Sequence, residues 1–175
     1  VGVTSLYPDP DVDHHAHQVA NVLGLDGIGA TFFTAADVRL ARHATVEGVN
    51  VNATVGVTRP TWAADADDAW APWSPGTINV VVQVPVPLTP AAAVNAAMTA
   101  TEAKVQALVE AGVPGTGTAT DAVAICWPTG PDPAPYGGPR SPWGARLARA
   151  VHDAVADGLS EPRPEGATGP RGEPA

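Results

Sequence analysis

The 175-residue chain has one cysteine, Cys126, which excludes an internal disulfide framework and a multi-cysteine zinc site. Basic residues are scarce. Nine Lys and Arg stand against eighteen Asp and Glu, for a net charge of -9, so no basic stripe exists to displace counterions from a phosphate backbone. Nucleic acid is therefore excluded as a partner. No apolar run reaches the roughly 18–20 residues needed to cross a bilayer, and no charged-then-apolar leader opens the chain. A cytoplasmic domain with no membrane partner is expected. Aromatics make up only 5% of the residues although 45% are hydrophobic, so a core must be built mainly of Val, Ala and Leu. Several nucleophile and phosphate signatures are also missing. There is no Gly-x-Ser-x-Gly elbow and no Gly-x-x-x-x-Gly-Lys-Ser/Thr loop. Gly115-x-Gly117 lacks the third glycine, and the helix behind it, that a dinucleotide site requires.

What is present reads as one mixed α/β domain over residues 1–158, followed by a Pro-, Gly-, Glu- and Arg-rich tail, 159–175, expected to be disordered. Tyr7 to Asp13 is a Pro/Asp loop, and Asp13 is set to cap a helix reaching Leu23. Gly27 to Phe33 reads as a short buried strand. Arg39–Thr45 and Val49–Val57 read as the two arms of an antiparallel hairpin turning at Glu47-Gly48, the second arm alternating Val with Asn and Thr. Residues 58–75, with Arg59, Trp62, Trp70, Trp73 and the acidic group Asp65, Asp67 and Asp68, form a loop long enough to serve as a lid or binding loop.

Ile78–Val84 is apolar on both faces, which predicts a central strand, and Pro85 and Pro87 end it. Thr89 followed by Pro90 starts a helix to about Glu110, stopped by Gly112, with Val94, Met98, Thr101, Val105 and Leu108 as its expected core stripe. Glu102 and Lys104 lie about 200° apart around that helix and cannot pair. Thr120–Trp127 predicts a second central strand, which would bury Cys126. A last helix, Trp143–Gly158, turns Leu147, Ala150, Val151, Ala154 and Val155 inward. The sum is a central mixed sheet of five or six strands containing an antiparallel hairpin, with helices packed against it; strand order and oligomeric state stay open.

Candidate chemistry concentrates where polar residues meet the ends of buried strands. Asp121 is the sharpest: a carboxylate at the threshold of a buried strand must be hydrogen-bonded or paired, and Thr116, Thr118 and Thr120 are beside it as donors. It is either a general base or a carboxylate that satisfies loop amides. Cys126 reads as a small core hydrophobe more readily than as a nucleophile. His14, His15 and His17 read as an exposed helix start, because no His-Glu-x-x-His signature accompanies them.

Three runs carry a family resemblance: Gly76-Thr77-Ile78-Asn79, then Thr101-Glu102-Ala103-Lys104, then Gly115-Thr116-Gly117-Thr118-Ala119-Thr120-Asp121. In that order and spacing the chain resembles the adenosylcobinamide amidohydrolases of corrinoid salvage over about residues 20–157, with weaker support from Thr34–Val38 and Ala53–Val57. Members of that family carry a further N-terminal segment, which the chain, starting at Val1, is expected to lack. The resemblance implies hydrolysis of the amide joining adenosylcobyric acid to 1-amino-2-propanol, with a small-molecule corrinoid as substrate; no cofactor and no metal-site residues are expected, and metal need stays open. On that footing Asp121 or Glu102 is the expected base for an attacking water. Thr118 or Thr120 is the nucleophile of an alternative acyl-enzyme route. Thr77, Asn79, Lys104, Thr116, Arg59 and Trp62 are the expected substrate contacts. A corrinoid-binding protein without turnover is the other class open to such a chain.

Overall fold

The computed structural model describes residues 1–3, 11–27, 29–66 and 76–160. Val80 and Val82, both fully buried, sit at its centre on β3 (Ile78–Gln83). β3 is hydrogen-bonded on one side to β2 (Val49–Val55), antiparallel, and on the other to β4 (Ala122–Cys126), parallel. β1 (Arg42–Val46) pairs with β2 to complete a four-stranded mixed sheet in the order β1-β2-β3-β4. The hairpin turns at Glu47 and Gly48, with φ of 44° and 90°. Two consecutive positive φ values are what a two-residue turn needs to match the twist of its strands. Glu47 is held there by Arg146 and Arg149, at 2.9 and 3.1 Å.

The crossover between the two parallel strands is α2 (Pro90–Glu110). It begins where the sequence predicts, with the Thr89 side chain accepting from the Ala92 amide and Pro90 in the first turn. α3 (Pro142–Leu159) is capped by Ser141 and buries Leu147, Ala150, Val151, Ala154 and Val155, as expected. It packs across β1 and β2 and against α2, so both long helices cover one face of the sheet. The other face carries His43, Asn50, Asn52, Asn79 and Gln83; the period of two along each strand sorts these from the valines beneath the helices.

Several expectations are corrected. The sheet has four strands among the described residues, not five or six. β4 lies at its edge, not its centre, and Cys126 is exposed. The expected strand from Gly27 to Phe33 does not form at residues 29–33, and Ile28 lies outside the described residues. The carbonyl of Phe33 is instead satisfied by the Asn79 side chain at 3.0 Å. α1 (Val12–Val22) is capped by Asp11, not Asp13, and buries no residue. Within α2 the core face is Ala92, Ala96, Thr99, Ala100, Ala103, Lys104, Ala107 and Leu108, whereas Val94, Met98 and Thr101 point outward. The reason is steric. The loop before α3 presses its backbone onto α2: a Cβ on Gly137 would collide with the Ala92 carbonyl and lie 2.8 Å from the Ala96 nitrogen. Only alanine-sized side chains admit such an approach. The readings of Trp70, Trp73, Asp67 and Asp68, and of the tail beyond residue 160, fall outside the described residues.

α2 and α3 are also tied by His152, whose ring lies 2.7 Å from Glu110. That hydrogen bond, against some desolvation and with help from Asp153, raises the imidazole pKa above its ordinary 6.5. A raised folded-state pKa gives stability that is complete below pH 6.5 and is lost as pH rises through the folded value. Because the pair is partly solvated, the effect is small. The melting temperature should fall by about 1–2 °C more between pH 6 and pH 8 in the native chain than in His152→Gln. Parallel slopes in the two proteins would show that the pair contributes nothing.

Candidate active site

The site lies where the loops entering β3 and β4 meet the middle of α2. The loop from Val113 to Asp121 needs its glycines because other groups approach it closely, backbone at Gly115 and charged side chains at Gly117. A Cβ on Gly115 would lie 2.7 Å from the Thr61 carbonyl oxygen, and one on Gly117 would collide with the Asp121 carboxylate and lie 2.7 Å from Lys104 Nζ. Freed of side chains, the loop pairs with the segment after β2. The Thr61 amide donates to the Gly117 carbonyl and the Thr116 amide to the Thr61 carbonyl, both at 2.8 Å. Thr116 Oγ1 then accepts from the Ala63 amide at 3.0 Å.

Asp121 is the hub. Its Oδ2 accepts from Lys104 Nζ at 2.5 Å and from the Thr118 amide at 3.1 Å. Its Oδ1 accepts from Thr118 Oγ1 at 2.5 Å and from the Ile78 amide at 2.9 Å. The last bond ties the hub to the first residue of β3. The two charged side chains are only 7% and 10% exposed. A buried ammonium facing a buried carboxylate at this distance is a strong local attraction that holds only while both partners remain. Lys104 can reach the loop because it projects from the side of α2 facing the sheet edge, about 200° from Glu102.

Beside this hub is a pocket of about 380 Å³, walled by Thr61, Ala63, Thr101, Val105, Thr116 and Ala119, with Gly117, Thr118, Lys104 and Asp121 completing it.

Among the predicted site residues, the structure brings together Asp121, Lys104, Thr116 and Thr118. Thr77 and Thr120 lie immediately behind them: Thr77 Oγ1 donates to the Thr120 carbonyl at 2.8 Å and ties the two strand entrances together. Glu102 is exposed and is not part of the pocket wall. Arg59 and Trp62 are also exposed, on the segment whose Thr61 and Ala63 line the pocket. Asn79 is not brought to the hub. It lines a separate hollow of about 160 Å³ with Asn52, Thr54 and Phe32. His14 and His17 make helix-local contacts, to Gln18 and to the Asp13 carbonyl. Thr61, Thr101 and Val105 were not anticipated as pocket residues. Thr101 stands three positions before Lys104, a spacing that puts both on one side of a helix, and this was the available signal.

The family model for adenosylcobinamide amidohydrolase matches residues 1–166. The chain belongs to that family. A protein of that name from Halobacterium salinarum is 37% identical over 125 residues, covering 68% of this chain and 53% of the relative. A second, from Methanosarcina mazei, is 36% identical over 93 residues, covering 48% of this chain and 46% of the relative. The chain thus spans about half the length of the curated relatives it matches. No solved structure matches it significantly. Within the family match lie the Gly-Thr-Gly-Thr-Ala-Thr-Asp loop and the Thr-Glu-Ala-Lys turn of α2, the two segments from which the buried hub is built.

Proposed function

We propose that this chain hydrolyses the aminopropanol amide of adenosylcobinamide, releasing adenosylcobyric acid and 1-amino-2-propanol. The observation that carries this reading is the Thr118–Asp121–Lys104 hub beside an open pocket, in a member of a family named for that amide hydrolysis.

The geometry favours a threonine nucleophile over a directly activated water. An ionised carboxylate offers about four lone-pair positions, and Asp121 already accepts from Lys104, Ile78 and twice from Thr118. No position is left over for a water. The Thr118 hydroxyl proton, by contrast, already points at Asp121 and needs no rearrangement to transfer. In the proposed course, Thr118 Oγ1 attacks the amide carbon as its proton passes to Asp121. The Lys104 ammonium stabilises the negative charge growing on the carbonyl oxygen. Asp121 then returns the proton to the departing amine as the C–N bond breaks. Water enters the vacated leaving-group side, gives its proton back through Asp121 to Thr118, and frees the carboxylic acid. Thr77 and Thr116 fix the two loops that hold these groups, and Trp62 and Arg59 are exposed on the segment whose Thr61 and Ala63 line the pocket. Glu102 has no part in this course.

The deciding experiment is incubation of the chain with adenosylcobinamide and mass spectrometry of the corrinoid. Conversion to adenosylcobyric acid is the expected result. An unchanged corrinoid that stays with the protein, seen by its visible absorption, would mark a binding protein without turnover. An unchanged corrinoid that does not bind would end the corrinoid reading.

A further inference from the structure

Among the described residues, nothing covers an apolar stripe along α2. At about 100° per residue, Val94, Met98, Thr101, Val105 and Val109 fall within about 80° of the helix surface. This is the face opposite the alanines that meet α3 and the sheet. Val94, Met98 and Val109 are 65%, 56% and 61% exposed. A helix that turns its alanines inward and its valines and methionine outward reverses the usual economy of burial, and large apolar side chains so arranged mark a binding surface. The stripe is continuous with the pocket, because Thr101 and Val105 belong to both. Trp62 lies in sequence between the lining residues Thr61 and Ala63 and is 53% exposed. Glu102 flanks the stripe, about 20° beyond Val109 around the helix.

We infer that this stripe is the platform on which the corrin ring lies while its amide-linked side chain reaches Thr118. The inference rests on the corrinoid reading above and deepens it. From Val94 to Val105 the stripe runs about 16 Å at 1.5 Å per residue. That is long enough to underlie a tetrapyrrole-sized disc, far more than a 380 Å³ pocket can enclose. The pocket therefore takes the reacting arm and the helix takes the ring. The ring's methyl-studded faces suit aliphatic side chains, and an unbranched methionine at the centre adapts to an irregular surface.

The test is Met98→Glu, which adds a charge at an exposed helical position and leaves the core untouched, with Val22→Glu on α1, a still more exposed apolar position, as the control. Cobinamide binding is followed by visible titration, turnover of adenosylcobinamide by mass spectrometry, and molecular mass by light scattering. Met98→Glu is expected to raise both Kd and KM at least tenfold, with kcat held within twofold and mass unchanged, while Val22→Glu behaves as the native chain. Unaltered binding by Met98→Glu overturns the platform while leaving the amidohydrolase reading in place. A fall in molecular mass would show that the stripe joins two copies of the chain, which also overturns it. Failure of the native chain both to bind and to cleave cobinamide would remove the underlying reading itself.

Discussion

Replacing Lys104 with methionine is expected to destabilise the protein by about 3–5 kcal/mol, the cost of leaving a buried carboxylate without its counter-charge. The two side chains are 7% and 10% exposed, so water screens the pair little. Methionine nearly matches the volume of the lysine stem and adds no cavity, so the loss isolates the charge. Asp121 would still accept from the Ile78 and Thr118 amides, but neither carries a full positive charge. The double variant Lys104→Met with Asp121→Asn should recover most of the loss. An asparagine oxygen can keep one backbone bond, and no net charge remains buried. Urea unfolding of the four proteins in this cycle measures the coupling directly. A Lys104→Met cost below about 1 kcal/mol would mean that water reaches the hub as it does a surface pair. The polar chemistry at Asp121 would then have to be treated as solvent-exposed.

That hub shows what a single sequence can and cannot disclose. Asp121 stood out because a carboxylate at the mouth of an apolar strand demands partners, and Thr118 was close enough in the chain to be one. Lys104 was noticed but not paired, since the contact spans 17 residues and depends on how α2 lies over β3 and β4. The start of α2 was legible to the residue because Thr89 and Pro90 act locally, through a cap and a fixed φ. Its buried face was not. Val94, Met98 and Val105 outrank alanine in hydrophobicity, while the evenly spaced Ala92, Ala96, Ala100, Ala103 and Ala107 betray the core only once Gly137 is known to press against them. The same limit misplaced β4. Ala122-Val123-Ala124-Ile125 is apolar on both faces, yet it is an edge strand, with small alanines on the uncovered side and Val123 and Ile125 against the core. Periodicity reports which faces are apolar, but which neighbour arrives to cover them is tertiary information.

Thr118→Val should lower kcat about a thousandfold or more while costing only about 1 kcal/mol of stability, the net worth of one hydroxyl hydrogen bond. Valine keeps the β-branched shape and the backbone amide bond to Asp121, so the loop should hold its course and substrate binding should change little. Thr118→Ser restores a hydroxyl at the same atom and should keep turnover within about tenfold of the native chain. The pattern separates the two mechanisms. Were water activated directly by Asp121, removing the Thr118 hydroxyl would free an acceptor position for that water, and Thr118→Val would be mildly impaired or even faster. Hydroxylamine gives a second, independent readout. An ester on Thr118 would be intercepted to yield the hydroxamate of the corrinoid in place of the acid, whereas direct water attack forms no ester to intercept. A thousandfold loss in Thr118→Val, rescue by serine, and a trapped hydroxamate together require the acyl-enzyme. If valine leaves kcat intact, the short Thr118–Asp121 bond is only a clasp that holds the loop.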